Sequence, residues 1–183
     1  MAPFSENNLI RYSIGNSIAI PSNPNLAFGI YLDNNSHNIA VENNIVVGIG
    51  AARILINDAS FNNYVKDNLI YDCRKGISFS KWANVDKIYN CIVEGNTIVA
   101  IWQGQQVVNL TNWIAPRLEP GHFRNDLYYH SQTSAPFCIT SKEFPEPIYL
   151  DLSFYQWQRL TGEEGSKAIT PPDKQTSDYE LFC

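Results

Sequence analysis

Several things are scarce in this 183-residue chain. Lysine and arginine total only 13 against 18 acidic residues, a net charge of -5 and a pI near 5.1. No basic run is dense enough to track a phosphate backbone, which argues against a nucleic-acid binder. No stretch approaches the ~18 consecutive apolar residues of a membrane span. The start, "MAPFSENNLIRYS", has neither a basic region nor an apolar core, so it does not read as a signal peptide. Cys73, Cys91, Cys138 and Cys183 show no CxxC spacing, which removes the usual basis for a zinc or thioredoxin-like reading. Cys73 and Cys91 lie in or beside strand-like runs and are expected to be buried thiols. His37, His122 and His130 share no ligand spacing. There is no G-x-S-x-G and no evident Ser-His-Asp set.

What is abundant is asparagine in strand-like surroundings. "GIYLDNNSHNIAVENNIVVGIG" alternates apolar and polar residues, yet Asn, a poor strand former and good turn former, interrupts it repeatedly. An internal repeat explains the pattern. "IAVENNIVVG" and "NYVKDNLIYD" align at a shift of about 24, matching Val41 with Val65, Asn44 with Asn68, Ile45 with Leu69 and Val46 with Ile70. "GIYLDN", "RILIND" and "GISFSK" align Ile30, Ile54 and Ile77 at nearly the same period. A unit this short buries its apolar face only by stacking on its neighbours. Short strands with no helix between them predict a coiled β-solenoid, its rungs ~4.8 Å apart. Asn residues at one corner of successive rungs tolerate left-handed backbone and bond one another. Asn8, Asn44 and Asn68 form the expected ladder; Asn96 continues it if an insertion is allowed, Cys91 if it is not.

The period is disturbed at both ends. Pro21 to Asn25 reads as a protruding loop, and "NDLYYH" (Asn125 to His130) as a further rung strand after a Pro/Gly loop. In "DLSFYQWQRLTGEEGS", Ser153 and Gln156 form a capping-box pattern, with Phe154, Trp157 and Leu160 at helical spacing and Gly162 as the stop. This predicts a short helix covering a flank or end of the solenoid. "ITPPDKQTSDYELFC" reads as extended, ending in a short strand. Residues 1–130 therefore supply the rungs, and 131–183 a flanking cap segment of the same domain.

These residues resemble right-handed parallel β-helix proteins of the carbohydrate-active kind, a pectate-lyase-like architecture. The likeness rests on "GIYLDNNSHNIAVENNIVV", "VKDNLIYDCRKGISFS", "VEGNTIV", "FRNDLYYH" and "LSFYQWQRLTGEEGS". The last is similar to an element found after the last rungs of large bacterial β-helix glycoside hydrolases. The resemblance implies an all-β right-handed solenoid and the C-terminal part of a longer secreted protein, extracellular or periplasmic in the parent. It also implies polysaccharide or oligosaccharide as the partner, rather than nucleic acid or a membrane. An open N-terminal rung offers an edge for self-association.

Strand alternation places Ile30, Leu32, Ile54, Ile56, Ile77 and Phe79 inside, and Gly29, Tyr31, Asp33, Arg53, Leu55, Asn57, Gly76, Ser78 and Ser80 outside. Asp58 and Lys81 fall at strand ends. A glycosidase needs two carboxylates across the scissile bond, ~5–5.5 Å apart for retention or ~6.5–9.5 Å for inversion. Asp33 and Asp58 are the candidate pair, with Tyr31, Arg53, Asn57, Lys81 and Trp102 as substrate contacts. No cofactor is expected for a hydrolase; a polysaccharide lyase would use Arg53 or Lys81 on a uronate, sometimes with Ca²⁺ on Asp oxygens. The remaining alternative is a non-catalytic binding or structural solenoid, adhesin- or tailspike-like, whose Asp side chains fold back onto turn amides. Glu42 and Lys66 should stack on adjacent rungs as a weak ion pair.

Overall fold

The computed structural model describes residues 9–11, 14–16, 28–48, 51–82, 86–112, 121–141 and 147–170, with side chains from residue 28 onward. Asn8, the Pro21–Asn25 stretch, Cys183 and all but the first two residues of the segment expected to end in a strand lie outside these residues.

Each coil contributes three strands. The first has β1 (Leu9–Arg11), β2 (Ile14–Asn16) and β3 (Phe28–Leu32); the second β4 (Ala40–Glu42), β5 (Ile45–Val47) and β6 (Ala52–Asn57). The third has β7 (Tyr64–Lys66), β8 (Leu69–Tyr71) and β9 (Lys75–Lys81); the fourth β10 (Cys91–Glu94), β11 (Thr97–Ala100) and β12 (Gln106–Asn112). The fifth has β13 (Gly121–Arg124), β14 (Leu127–His130) and β15 (Phe137–Ser141). Then come β16 (Ile148–Leu152), helix α1 (Phe154–Thr161) and β17 (Lys167–Ile169). First, second and third strands stack into three sheets, ordered β1-β4-β7-β10-β13, β2-β5-β8-β11-β14-β17 and β3-β6-β9-β12-β15-β16. Among the described strands all pairings are parallel except β15 with β16. The expected all-β parallel solenoid is what forms.

The repeat fixes the register. Val41 pairs with Val65, Ile45 with Leu69, Val46 with Ile70, and Ile30 with Ile54 and then Ile77. The period then lengthens, from 24 residues between Asn44 and Asn68 to 28 between Asn68 and Asn96 and 30 between Asn96 and Asp126. Extra residues are accommodated in the turns while the strands stay in register.

Inside, like stacks on like. Val41, Val65, Val93 and Phe123 form one column, and Val46, Ile70, Ile98 and Tyr128 another. Val41, Val65, Val93, Ile70, Ile98 and Tyr128 are fully buried. Each such side chain contributes about 1.5–3 kcal/mol by leaving water. The columns turn aromatic toward the C-terminal end, where Trp157 of α1 stacks on Phe137 (4.9 Å) and meets Phe123 edge-on (5.1 Å). Helix α1 has the expected box: Ser153 accepts from the Gln156 amide, and the Gln156 side chain accepts from the Ser153 amide. Gly162, left-handed at φ 71, ends it. Leu160, at helical spacing with Phe154 and Trp157, is exposed; the helix buries only Trp157. No helix among the described residues is long and apolar enough to cross a membrane.

The asparagines divide two tasks that the sequence pattern merges. Asn43, Asp67, Gly95, Asn125 and Gly165 take the left-handed backbone at one corner. The residue after each, Asn44, Asn68, Asn96, Asp126 and Ser166, turns inward and builds the ladder. Asn68 Oδ1 accepts both the backbone amide (3.0 Å) and Nδ2 (2.9 Å) of Asn44, and Asn96 Oδ1 does the same for Asn68. The second Nδ2 hydrogen reaches back to a carbonyl, Val41 O for Asn68 and Val65 O for Asn96. A neutral planar amide is the side chain that supplies a donor on one side and an acceptor on the other. Asp126 takes the acceptor role for Asn96, and its own amide donates to Ser166 Oγ (2.8 Å). Cys91 belongs to a different column. It follows left-handed Asn90, as Asn63 follows Asn62, and Asn63 Oδ1 accepts the Ile39 amide. Burial pushes the Cys73 thiol up to about 12 and the Cys91 thiol up to about 11, so both are protonated packing groups.

Candidate functional site

The turns after β3 and β6 are built alike. Ser36 Oγ donates to Asp33 O, and 24 residues on Ser60 Oγ donates to Asn57 O, each at 2.5 Å. These bonds fix the chain where the third sheet ends. Register sets Leu32 beside Ile56, so Asp33 lies beside Asn57 one rung below. The Asn57 amide is the hub: Nδ2 lies 2.7 Å from Asp33 Oδ1, 3.1 Å from Tyr31 Oη and 3.2 Å from Asp58 Oδ2. The two carboxylate oxygens that share this nitrogen lie within ~6 Å of each other, close enough for the two groups to act as a pair.

Both carboxylates also hold backbone. Asp33 Oδ1 accepts from the Asn34 amide (3.0 Å), and Asp58 Oδ1 from the Trp82 amide (2.7 Å) in the next coil. That is the folded-back geometry expected of a turn-forming Asp. Burial, then the charge of Asp33, pushes the Tyr31 hydroxyl up to about 12, so it remains a neutral donor. Asn57 Oδ1 is buried without a hydrogen-bond partner, although Nδ2 is oversubscribed. Two aromatics flank the cluster at the surface, Tyr31 at 44% exposure and Trp82 at 52%. Trp82 is not among the contacts expected from the sequence. Its place here follows from the amide contact to Asp58, which sits 24 residues earlier, one repeat away.

The other expected contacts diverge. Lys81 is buried at the end of β9, one position past Ser80, which pairs with Asn57, so it sits on the Asp58 row. Arg53 does not lie on an open outer face: its side chain is fully buried, and Nε, Nη1 and Nη2 have no hydrogen-bond partner. The register pairs Phe28 with Ala52 and Ile30 with Ile54 but skips Gly29 and Arg53. At that corner alternation fails. A Cβ on Gly29 would meet Val46 Cγ1 at 2.8 Å, one on Gly76 would meet Ile98 Cγ2 at 2.6 Å, and Val107 belongs to the core. This column turns toward the interior. Burial lowers the Arg53 guanidinium from its usual range, partly offset by Cys73 and Asp72. Leu55, Ser78, Ser80, Asn109 and Thr111, expected outside or stacked on those positions, are buried too. Trp102 is 58% exposed, but its turn precedes β12, at the opposite strand ends from Asp33 and Asp58. Gln105 Oε1 ties that turn by accepting the Ile101 and Trp102 amides.

The histidines have local roles. His37 stacks on Phe61 (4.6 Å), which stacks on Tyr89 (5.1 Å). His130 Nδ1 accepts the Gln132 and Thr133 amides, which leaves Nε2–H to donate to Gln105 O. Among the described residues no three His, Cys, Asp or Glu side chains gather around a common metal position. Glu42 and Lys66 are register partners as expected; Lys66 Nζ lies 3.8 Å from Asp67, and Glu94 bonds Arg124 at 2.9 Å. On this exposed surface such pairs contribute little.

The model of a family described as "Right handed beta helix region" matches residues 4–112, more than half the chain. That span covers the first four coils and the whole Tyr31–Asp33–Asn57–Asp58–Trp82 cluster. No curated protein and no solved structure matches the chain at a significant level.

Proposed function

The chain belongs to the right-handed β-helix family, and on that premise we propose that it is a glycan-recognising β-helix whose binding site is the Tyr31–Asp33–Asn57–Asp58–Trp82 cluster. One observation carries the reading: the exposed rings of Tyr31 and Trp82 share a surface with the half-buried Asp33 carboxylate, which Asn57 Nδ2 holds at 2.7 Å. The rings offer apolar faces for sugar C–H groups, and Asp33 accepts sugar hydroxyls. Asn57, itself buried, positions the carboxylates rather than meeting the ligand. Two carboxylates repel uronate, so the ligand is a neutral or amino-sugar polysaccharide or oligosaccharide. Arg53, enclosed at another corner, and Lys81, fully buried on the Asp58 row, are poorly placed to hold a uronate, which counts against a lyase.

A glycoside hydrolase is the second reading, favoured by the separation of Asp33 and Asp58. Recognition without cleavage ranks above it because each carboxylate is committed to a backbone amide. A general acid or nucleophile must be free to change partners during reaction.

A glycan array followed by a reducing-end assay tests both. Binding to neutral glycans without release of reducing ends is expected, with Tyr31→Ala and Trp82→Ala each weakening affinity about tenfold. Release that disappears in both Asp33→Asn and Asp58→Asn would establish the hydrolase instead. Binding unchanged in all four variants would remove the site.

A further inference from the structure

After Asn96 the ladder passes to an acid. Asp126 Oδ1 accepts the amide and Nδ2 of Asn96, as Asn96 Oδ1 does for Asn68. Its other oxygen, Oδ2, lies 3.2 Å from Tyr128 Oη, and that hydroxyl lies 2.8 Å from Glu163 Oε1. Glu163 Oε2 accepts from Trp157 Nε1 of the terminal helix. Asp126, Tyr128, Glu163 and Trp157 are all buried.

The hydrogens can be counted. Tyr128 has one hydroxyl hydrogen and stands between two carboxyl groups. Donated to Glu163, it leaves an oxygen lone pair facing Asp126 Oδ2. That contact is a hydrogen bond only if Asp126 carries a proton and donates it to Tyr128. The chain Asp126 to Tyr128 to Glu163, closed by Trp157, is complete with one carboxyl proton. Removing the proton leaves two buried carboxylates competing for one hydrogen.

We propose that Asp126, Tyr128 and Glu163 form a proton-dependent latch that holds α1 and β17 against the last coil. The latch joins both pieces of the cap. Glu163 lies between α1 and β17, Trp157 anchors α1, and the Lys167 amide donates to Asp126 O (2.9 Å). Tyr128 and Glu163 are the titratable groups facing Asp126. The fourth coil offers it the Asn96 amide, the α1 indole goes to Glu163, and Arg124 points outward to Glu94. Burial pushes the Asp126 carboxyl up to about 7 and Glu163 upward as well, while burial keeps the Tyr128 hydroxyl protonated. A carboxyl raised above its ordinary value stabilises the closed state fully below that ordinary value, near 4, and loses the contribution as pH rises through about 7. The cap is therefore tightest below about pH 4 and loosens up to about pH 7, above which this contribution stays lost.

Amide hydrogen exchange of Lys167 to Ile169 in the full chain, corrected for the intrinsic pH dependence of exchange, reads the latch. Between pH 5 and pH 8 the cap's opening constant is expected to rise, by at most about tenfold per unit. Asp126→Asn supplies a permanent donor to Tyr128 and should flatten the profile while keeping the cap closed at pH 8. A flat wild-type profile, or an unchanged slope in Asp126→Asn, would overturn the proposal. The ¹³C carboxyl shift of Asp126 in the wild type is a second readout: titration near neutrality is expected, and titration in the ordinary Asp range contradicts the latch.

Discussion

Replacing Asn68 with alanine is expected to lower the free energy of unfolding by about 3–5 kcal/mol, since several buried groups lose partners at ~1–3 kcal/mol each. Asn68 Oδ1 is the acceptor for both the backbone amide and Nδ2 of Asn44, and its Nδ2 serves Val41 O and Asn96 Oδ1. Alanine strands the two donors of Asn44 in an interior closed to water and takes one donor from the Val41 carbonyl. Asn68→Asp is the sharper variant. It keeps the acceptor but sets a carboxylate against Val41 O and Asn96 Oδ1, so it should be less stable than Asn68→Ala at pH 7 and recover in acid. Urea titrations at pH 5 and pH 7 measure both effects. Losses under 1 kcal/mol for Asn68→Ala would mean that the ladder follows from the coil rather than holding it.

Removing Trp157 should cost as much, by a different route. Its ring is fully buried between Phe123 and Phe137, and Nε1 donates to Glu163. Trp→Ala in a packed core costs about 3–5 kcal/mol through lost transfer energy and the cavity left behind. The loss falls at the end of a solenoid, where the cap covers the aromatic ends of the core columns. Trp157→Ala should therefore lower the melting temperature and expose an end prone to association, seen as higher oligomers on size exclusion. Trp157→Phe keeps the packing and loses the indole donor, and is expected to fall between. A monomeric Trp157→Ala chain with unchanged melting would show that the helix is peripheral.

The fold was legible where one physical demand recurs at one spacing. Val41 over Val65, Ile54 over Ile77 and Asn44 over Asn68 could be read from sequence because a stacked coil asks for the same side chain again a turn later. Legibility faded as turns lengthened. The step from Asn68 to Asn96 spans 28 residues, so Cys91 and Asn96 competed for one place although they belong to separate columns. The last rungs of the ladder were not legible, because aspartate and serine replace asparagine there and each keeps only part of its hydrogen bonding.

The site was legible in part. Asp33, Asn57, Asp58 and Tyr31 meet as the repeat requires, since register alone brings them together. Arg53 was lost because strict alternation fails where the register skips Gly29 and Arg53, and no sequence period signals such a corner. Trp82 was missed because its link to Asp58 is a backbone amide, to which sequence patterns of side chains are blind. Trp102 shares the exposed aromatic character but sits at the wrong strand ends.

The most direct test of glycan recognition is a crystal structure of the chain with an oligosaccharide selected on the array. The account predicts sugar rings against Tyr31 and Trp82, hydroxyls on Asp33, and an intact glycosidic bond. A glycan seated elsewhere on the coils, or a cleaved product lying between Asp33 and Asp58, would contradict it.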